Sequence, residues 1–536
     1  MTETTAAGPA SSRRLSGPRP RAAFGLGPTN ARDPLRACEQ WERLGTDVAF
    51  GDTSPAARLF AAVDIGASSG RVIVGRVGAG AIELKVVHRF PNGVVEHEGA
   101  LRWDFDALLA EVLAGLKLAE RYAAAIGSPI ESIGIDTWAV DYGLLDAGGA
   151  LQGMPHSYRD DRSRAVIDKV HSRVDPARLY ETTGLQHLPF NTIYQLAAEQ
   201  GLAGLQALLI PDLLAFKLTG NRRSEATNAS TTGLFDAVAG EWATEFLDAL
   251  GLPEDLFAPL IEPGETIGTL RPAIAAQTGL PAKTMVVAVG SHDTASAVAA
   301  VPALTGNFAY ISSGTWSLVG VELDAPILTE ASRLANFTNE RGVDGTIRYL
   351  RNVGGLWLLS ESMRTWAQDG PDAGAPPDDL PALLAAAAAE PAGGPLIDVD
   401  SEVFIAPGNM PARIRAAANA RGGTLGTRPA VVVRCILDSL AAAYAKTVKE
   451  AVERSGQAVD VIHIVGGGSQ NTLLCQLTAN ATGLTVIAGP VEATALGNIL
   501  IQARAAGAAP PTLGGLRAVV AGSQPSVVYL PAYVAA

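Results

Sequence analysis

Three short stretches rich in glycine and hydroxyl-bearing residues could bind a phosphate group or carry a nucleophile: GASSG (66–70), SSGT (312–315) and GGG (466–468). Glycines let the backbone approach a ligand closely, hydroxyls donate hydrogen bonds, and successive N–H groups form a concavity that holds an anion. The first stretch also fits a Gly-x-Ser-x-Gly motif in which Ser68 would attack a carbonyl. The residues around GASSG must therefore decide whether this turn belongs to a phosphotransferase or to a hydrolase.

The residues that follow Ser68 favour phosphate binding. A nucleophilic serine lies between a strand and a helix, whereas RVIVGRV (71–77) alternates β-branched residues with others, as a strand does. His292 and Asp293 could complete a hydrolase triad, but neighbouring side chains usually point in different directions. A serine hydrolase remains open as an alternative. The chain has no Walker motif, protein-kinase catalytic loop or GxGxxG signature, so a phosphotransferase here would use hairpin turns.

The elements around these turns predict two α/β halves with one plan. The first half opens with the strands RLFAAVDIG, RVIVGRV and ELKVVHRF, followed by an amphipathic helix over 104–125 that Asp104 caps. The second half restarts with strand, turn and strand over 308–323. Each half also contains a buried strand, a glycine turn and a helix, over 285–300 and 461–477, which we interpret as equivalent. Such a duplication suggests a nucleotide held between the halves, and two unrelated α/β domains are the alternative.

Length, charge and cysteine content restrict the class of protein. A chain of 536 residues predicts two large domains. The net charge of −13 argues against binding to nucleic acid or anionic membranes, which needs a basic field, but not against a phosphate ligand. No apolar run reaches the roughly 18–20 residues of a bilayer span, and no secretory signal is evident. Cys38, Cys435 and Cys475 lack C-x-x-C spacing, which favours the reducing cytoplasm over a disulfide framework or thiolate zinc site. The composition of residues 1–57, rich in Ala, Gly, Pro, Ser and Arg, predicts a mostly disordered extension, with an over-extended start or a transit peptide as the alternatives.

From residue 58 to about 505 the chain resembles the FGGY carbohydrate kinases. The stretches that carry the resemblance follow in order: AVDIGASSGRV, GIDTWAVDYGLLD, LPFNTIYQL, IPDLLAFKLTG, SHDTASAV, SSGTWSLVG, NVGGLWLL, VGGGSQNTLL and AGPVEATALGN. The resemblance implies an α/β fold of two actin/hexokinase/Hsp70-like (ribonuclease H-like) domains, 58–303 and 304–510, with a cleft between them and a tail over 511–536. The stretches ASSGR and SHDTASAV resemble the corresponding motifs of the family's subgroup that phosphorylates L-rhamnulose at O1.

The resemblance also implies which residues bind ATP. Those around the phosphates would be Ala67, Ser68, Ser69, Gly70 and Arg71. Thr315 would contact the nucleotide, and Gly467 would border the adenosine. Ser360 stands where the family has a glutamine at a nucleotide contact, and its shorter side chain leaves room for a bridging water instead.

On the sugar side the resemblance implies contacts from Ala139, His292, Asp293, Thr294 and Asn352. Asp293 would be the general base, although an aspartate past a buried strand at a helix start can also be an N-cap. His292 can equally be a satisfied core histidine. Ala139 replaces the glycine usual in the family, and its methyl group would narrow the pocket.

Further carboxylates could serve the same site. Asp64 ends the first strand, where it could hold Mg²⁺ through water or hydrogen-bond its own turn. Trp138, Asp136 and Asp141 are candidate pocket residues with structural roles as the alternative. The expected partners are a sugar and ATP, with the chain a monomer or a homodimer. Two alternatives stay open: another ketose such as L-fuculose or xylulose, and an actin- or Hsp70-like protein that couples ATP to conformation.

Overall fold

A computed structural model describes residues 57–78, 80–369 and 379–532 of the chain. The predicted disordered extension lies, apart from residue 57, outside the described residues. Within the described ranges, no helix is both long enough and apolar enough to cross a bilayer.

The strands form two large sheets and several two-stranded ones. Their bounds are β1 Arg58–Ile65, β2 Ser69–Gly78, β3 Ala81–Pro91, β4 Val94–His97, β5 Ala100–Trp103, β6 Ile130–Thr137, β7 Tyr142–Leu145, β8 Gln206–Leu209, β9 Ser224–Glu225, β10 Phe235–Asp236, β11 Glu241–Trp242, β12 Leu260–Ile261, β13 Thr266–Thr269, β14 Met285–Val287, β15 Phe308–Ser313, β16 Trp316–Leu323, β17 Thr338–Arg341, β18 Ile347–Gly354, β19 Val461–Val465, β20 Thr485–Ala488 and β21 Val527–Tyr529.

The α-helices cover the faces of the sheets and fill the connections between strands. Their bounds are α1 Phe105–Ala125, α2 Ile167–His171, α3 Pro176–Thr183, α4 Thr192–Ala197, α5 Ile210–Thr219, α6 Ala226–Ala229, α7 Thr244–Leu250, α8 Pro272–Thr278, α9 Asp293–Ala299, α10 Glu330–Leu334, α11 Trp357–Asp369, α12 Leu380–Ala388, α13 Met410–Ala420, α14 Pro429–Ser455, α15 Thr472–Thr482, α16 Ala493–Ala505 and α17 Leu513–Ser523. The predicted helix over 104–125 is confirmed, and Asp104 caps it by accepting a hydrogen bond from the Ala107 amide at 3.0 Å.

The two large sheets share a core of five strands, as the two α/β halves with one plan predict. The first has the order β13-β14-β6-β1-β2-β3, and the second has the order β17-β18-β16-β15-β19-β20-β21. In each, an antiparallel hairpin opens the half, and two further strands run parallel to its first strand on the other side. A parallel strand needs a crossover, so helices must cover the faces. This is the duplicated α/β architecture of the actin/hexokinase type.

One predicted equivalence between the halves is wrong. The sequence pattern pairs the β14 stretch with the β19 stretch because both are buried strands followed by glycine. In the sheets, however, β19 lies directly beside β15 and so corresponds to β6, whereas β14 lies one strand further out and corresponds to β20. A local pattern records that a strand is buried but not its position in the sheet.

The helices that follow β14 and β20 cross between the sheets. At their crossing a Cβ atom on Gly497 of α16 would overlap the backbone carbonyl of Ser296 in α9, so only glycine allows this approach. Helix α16 also buries Ile499 and Leu500 with Phe60 of β1. The second half of the chain therefore packs directly on the first sheet. This packing places the first residues of α9 and α16 at the same cleft.

Residues 511–532, which the sequence left as a tail, form α17 and β21. Strand β21 pairs antiparallel with β20 at the edge of the second sheet. Leu516 and Val520 of α17 join the core cluster around β1 and α16. The described end of the chain is therefore part of the fold.

Candidate active site

A cleft between the two sheets contains a cavity of about 310 Å³. Most of the predicted site residues line it: Asp64, Ala67, Ser68, Ser69, Arg71, Ala139, His292, Asp293, Thr294, Thr315, Asn352 and Gly467. Two do not. Gly70 packs behind the first turn, where a Cβ atom would overlap the ring of Phe90, and Ser360 is exposed on α11. The fold thus brings together residues that are far apart in the chain.

The first phosphate-binding candidate is the β1–β2 hairpin turn. The Gly66 amide donates to the Ser69 carbonyl at 2.9 Å, which closes the turn. Asn92 holds the turn from outside, because its Nδ2 donates to the Gly66 carbonyl at 2.8 Å and its amide donates to the Ser68 carbonyl at 3.1 Å. Ser68 and Ser69 are exposed towards the cleft. A hairpin, and not a strand–helix elbow, carries Ser68, so the geometry of a hydrolase nucleophile is absent here.

The second and third glycine turns face the first across the cavity. Gly466 has a φ of +81°, which glycine adopts without strain. A Cβ atom on Gly468 would overlap the side chain of Ser313, so Gly468 lets β19 and β15 end side by side. A Cβ atom on Gly467 would meet nothing within 4 Å. The backbone at Gly467 is consequently open to a flat ligand.

Asp293 stands at the start of α9 with its carboxylate on the cavity wall. The N-cap of that helix is His292, so Asp293 is not the cap that the alternative interpretation allowed. The Thr294 hydroxyl donates to Asp293 Oδ1 at 3.0 Å. About a third of the Asp293 side chain (32%) is exposed, which leaves oxygen lone pairs free towards the cavity. Its position suits a carboxylate that accepts a proton from a bound ligand.

His292 is buried and has ionic partners that sequence reasoning missed. Its Nδ1 lies 3.1 Å from Glu340 Oε2 and 3.2 Å from an Nη atom of Arg348. Glu340 and Arg348 form a buried ion pair of 3.0 Å. Burial alone would raise the pKa of Glu340, but the charges of Arg348 and His292 outweigh it and hold this pKa below its ordinary value. Strands β17 and β18 of the second sheet therefore fix a histidine that follows the first sheet.

Arg71 is held by two carboxylates beside the first turn. It lies opposite Asp64 in the β1–β2 hairpin and donates to Asp64 Oδ2 at 2.9 and 3.1 Å. Its guanidinium also lies 3.0 Å from Glu492, just before α16. Burial raises the pKa of Asp64 above its ordinary value, although Arg71 opposes the rise. Asp64 is therefore paired with the guanidinium of Arg71, which belongs to the same hairpin.

Asp136 is a second, fully buried carboxylate of this region. It lies opposite Asp64 on the neighbouring strand β6, and Asn498 donates to its Oδ2 at 2.6 Å. Its Oδ1 has no hydrogen-bond partner among the described residues. Burial, and then the charge of Asp64, raise the pKa of Asp136 well above its ordinary value. Two desolvated carboxylates side by side are an arrangement that a cation would relieve.

The described ranges contain no group of three or more His, Cys, Asp or Glu side chains that could ligate a metal ion directly. Mg²⁺ usually takes one or two protein carboxylates, several waters and the phosphates of its substrate. Asp64 and Asp136 supply the one or two carboxylates that Mg²⁺ needs from the protein, and one oxygen of Asp136 has no other partner among the described residues. The donor set is therefore compatible with Mg²⁺ bound largely through water.

Asp141 has a structural role, unlike the pocket role that the sequence left open. Its Oδ2 accepts hydrogen bonds from the indoles of Trp103 at 2.7 Å and Trp138 at 3.0 Å, and its Oδ1 accepts one from Gln195 at 2.9 Å. Burial raises the pKa of Asp141 to about 6, and these donors limit the rise. The carboxylate fixes Trp138, whose ring lies 4.2 Å from that of Trp103. Ala139 follows on the cavity wall.

The remaining wall of the cavity is amphipathic. Gln186 Oε1 accepts from the Asn352 amide at 2.9 Å and from Asn352 Nδ2 at 3.2 Å, so the two residues orient each other across the cleft. Apolar side chains complete the wall: Trp138, Val140, Leu185, Leu188, Phe190 and Trp316. No local signal in the sequence identifies Gln186, because its partner is far away along the chain.

Two family models match nearly the whole described chain. The model of the N-terminal domain of the FGGY family of carbohydrate kinases matches residues 59–300, and that of the C-terminal domain matches residues 309–506. The chain belongs to the FGGY family of carbohydrate kinases. This FGGY chain is 41% identical to a rhamnulokinase of Bacteroides thetaiotaomicron, over 89% of this chain and 96% of the relative. It is also 41% identical to a rhamnulokinase of Enterococcus faecalis, over 84% of this chain and 90% of the relative.

Among solved structures, the fold is similar to that of a gluconate kinase from Lactobacillus acidophilus. The TM-score is 0.72 at 16% identity, and the match covers 89% of this chain and 94% of that one. At such low identity the similarity concerns the fold alone. It confirms the two-domain architecture of the actin/hexokinase type.

Proposed function

We propose that this FGGY kinase transfers the γ-phosphoryl group of ATP to O1 of L-rhamnulose, giving L-rhamnulose 1-phosphate and ADP. Family membership makes the chain an enzyme that phosphorylates a sugar with ATP. The observation that carries the choice of sugar is the identity of about 40% to rhamnulokinases over most of the chain.

Asp293 is the proposed general base. Phosphoryl transfer mainly requires in-line positioning of the acceptor, neutralisation of charge and a nearby proton acceptor. The Asp293 carboxylate takes the proton from O1 as that oxygen attacks the γ-phosphorus, and ADP leaves from the opposite side. Support comes from its partial exposure to the cavity and from the Thr294 hydroxyl, which fixes the carboxylate without consuming both of its oxygens.

The glycine turns are the proposed phosphate and nucleotide sites. Ala67, Ser68 and Ser69 would hold phosphate oxygens with backbone amides and hydroxyls, and Gly70 would support them by letting the turn pack against Phe90. Thr315 would contact the phosphates from the opposite turn. The open backbone face at Gly467 supports placement of adenosine there. Ser360 is exposed on α11, so its proposed part is limited to a water-mediated contact with the nucleotide.

Arg71, Asp64 and Asp136 are the proposed electrostatic part of the site. Mg²⁺, when bound, would neutralise negative charge that develops on the phosphates during transfer. Asp64 would hold it through water, with Asp136 as the neighbouring carboxylate. Asp64 and Glu492 hold Arg71 beside the proposed phosphate turn, which supports a role for its guanidinium near the transferred group.

Ala139, His292, Thr294 and Asn352 are the proposed sugar contacts beside Asp293. The polar and apolar sides of the cavity support a ligand that carries both hydroxyl groups and a methyl group, as a 6-deoxyketose does. Closure of the two domains would exclude water, which otherwise competes with O1 as acceptor.

The finer partner and location assignments belong to the same proposal. We expect a monomer or homodimer that acts on sugar and ATP in the cytoplasm and binds neither nucleic acid nor membranes. The buried free thiols of Cys435 and Cys475 support a reducing compartment.

The test is release of ADP across a panel of ketoses, with phosphorus NMR of the product. L-Rhamnulose is expected to give the highest kcat/KM, and the product spectrum should identify the 1-phosphate. A higher kcat/KM for L-fuculose or xylulose would overturn the choice of sugar. ATP turnover that no ketose stimulates would instead favour an ATP-driven conformational protein.

A further inference from the structure

Strand β17, at the edge of the second sheet, presents two polar side chains to the cleft. Because side chains alternate along a strand, Thr338 and Glu340 lie on one face and Asn339 lies on the other. Thr338 and Glu340 both line the cavity. Asn339 instead bonds the backbone behind the sheet, donating to the Gly184 carbonyl at 3.1 Å. The strand thus has one face towards the ligand and one towards the core.

The pairing of β17 with β18 puts Thr338 in a continuous polar row. Glu340 lies opposite Arg348, and Thr338 lies opposite Leu350. Asn352 is two residues beyond Leu350 and therefore on the same face of β18. Cross-strand and diagonal neighbours of this kind lie within reach of one another's side chains. Thr338 is consequently located between Asn352 and the Glu340 carboxylate that contacts His292.

The Thr338 hydroxyl is the one member of this row that has neither a hydrogen-bond partner nor an ionic partner among the described residues. The residue is fully buried, and within the described chain its Oγ1 has no hydrogen-bond partner. Glu340 is paired with Arg348 and His292, and Asn352 is paired with Gln186. A buried hydroxyl without a partner is unfavourable, and a bound ligand in the adjoining cavity can supply that partner.

We infer that Thr338 is a sugar-contacting residue that determines specificity, with its hydroxyl bonded to a secondary hydroxyl group of the ketose. The inference rests on the proposed function, because it takes the ligand of this half of the cavity to be a sugar. A site built to bond a substrate hydroxyl rejects analogues that lack it or turn it away, since buried polar groups are then unpaired. Thr338 would therefore act on the choice between ketose epimers, and not on ATP.

The test compares Thr338→Val, which keeps the shape but removes the hydroxyl, with Thr338→Ser, which keeps the hydroxyl. The matched control is Thr284→Val. Thr284 also has a buried hydroxyl without a partner among the described residues, but it lies just before β14 and outside the cavity wall. All three variants and the wild type are assayed for KM towards sugar and ATP and for thermal unfolding.

Thr338→Val should raise KM for L-rhamnulose by roughly 10- to 100-fold and leave KM for ATP within about 2-fold, since one buried hydrogen bond is lost. Thr338→Ser should recover most of the affinity, and Thr284→Val should leave both constants unchanged. The ratio of kcat/KM between L-rhamnulose and its C4 epimer L-fuculose should also shrink if the bond is made at C4. If it is made at C3 or C5, the corresponding epimer should show the change instead.

An unchanged sugar KM in a folded Thr338→Val enzyme would overturn the inference. Equal effects of the two valine variants, or an effect on thermal stability alone, would overturn it as well. Either result would mean that a buried water, and not the sugar, is the hydrogen-bond partner of the Thr338 hydroxyl. Failure of the proposed function is seen separately, as a wild-type enzyme that prefers another ketose. The same variants are then compared on that ketose.

Discussion

Glu340 Oε2 lies 3.1 Å from His292 Nδ1, so a buried carboxylate of the second sheet holds a histidine that follows the first sheet. The same carboxylate pairs with Arg348, which is fully buried. His292 directly precedes Asp293. The orientation of the proposed sugar contact therefore depends on an ion pair contributed by the opposite side of the cleft.

Glu340→Gln should lower stability and weaken sugar binding together. Removing one partner of a buried ion pair leaves the other charge uncompensated, which costs about 3–5 kcal/mol of unfolding free energy. Replacing the whole pair, as in Glu340→Gln with Arg348→Met, removes that charge and should restore much of the stability. The sugar KM should stay raised in the double variant, because His292 still lacks its partner. Full recovery of the sugar KM would show that Glu340 acts on stability alone.

Asp293→Asn should lower kcat by roughly 10²- to 10⁴-fold, the usual contribution of a general base. The amide keeps the size of the side chain and can still accept from Thr294, but it cannot take a proton from O1. KM for ATP should change by less than about 2-fold. Asp324→Asn, at an exposed aspartate outside the cavity wall, is the control and should have wild-type kinetics. A kcat within a few-fold of wild type would remove Asp293 as the base.

Gly467→Ala should change nucleotide binding without changing stability, whereas Gly468→Ala should lower stability. At Gly467 the added methyl group meets nothing in the protein and projects into the cavity, so the fold should be unaffected. KM for ATP should rise by about 10-fold if the adenosine lies against this backbone, since overpacking costs about 1–3 kcal/mol. At Gly468 the methyl group overlaps Ser313, so the melting temperature should fall. An unchanged KM for ATP in Gly467→Ala would place the adenosine elsewhere.

The hairpins and their turns could be predicted from the sequence because their signals are local. An apolar run before the glycine turn at 66–70 and alternating β-branched residues after it identify β1 and β2 without any knowledge of the rest of the chain. Asp64 and Arg71 then face each other by the register of that hairpin. The family resemblance added Asp293, which local pattern alone left as a possible helix cap.

The contacts between distant strands could not be predicted in this way. Nothing in the local sequence distinguishes Glu340 and Thr338 from other residues of an edge strand. Only the pairing of β17 with β18 brings them to the cleft. The wrong equivalence of β14 and β19 has the same origin, because strand order is set by long-range pairing and not by burial. The residues that orient others, such as Asn92 and Gln186, were missed for this reason.

Asp64→Asn should raise the Mg²⁺ concentration for half-maximal activity, by about 10-fold, because a carboxylate that holds the hydrated ion is lost. Glu492 still pairs with Arg71, so the guanidinium should remain in place. Glu492→Gln is the matched control: it removes the other partner of Arg71 but lies outside the cavity lining. If both variants change the Mg²⁺ requirement equally, the effect belongs to Arg71 and not to a metal contact of Asp64.

His463 in β19 should make the protein sensitive to acid. The residue is buried, and burial together with the charge of Arg517 lowers the pKa of His463 from 6.5 to about 4. Between those values the unfolded chain binds a proton that the folded chain does not, so unfolding becomes easier as the pH falls. By this linkage the histidine alone should cost about 2 kcal/mol of unfolding free energy at pH 5 relative to pH 7.5.

Urea unfolding at pH 7.5 and pH 5.0 measures this cost. His463→Gln removes the titrating group, so its loss of unfolding free energy between the two pH values should be about 2 kcal/mol smaller than that of the wild type, whatever its stability at pH 7.5. His97→Gln is the control: His97 is exposed in β4, and its replacement should leave the wild-type pH dependence intact. An equal loss in His463→Gln and the wild type would mean that the acid sensitivity arises at other groups.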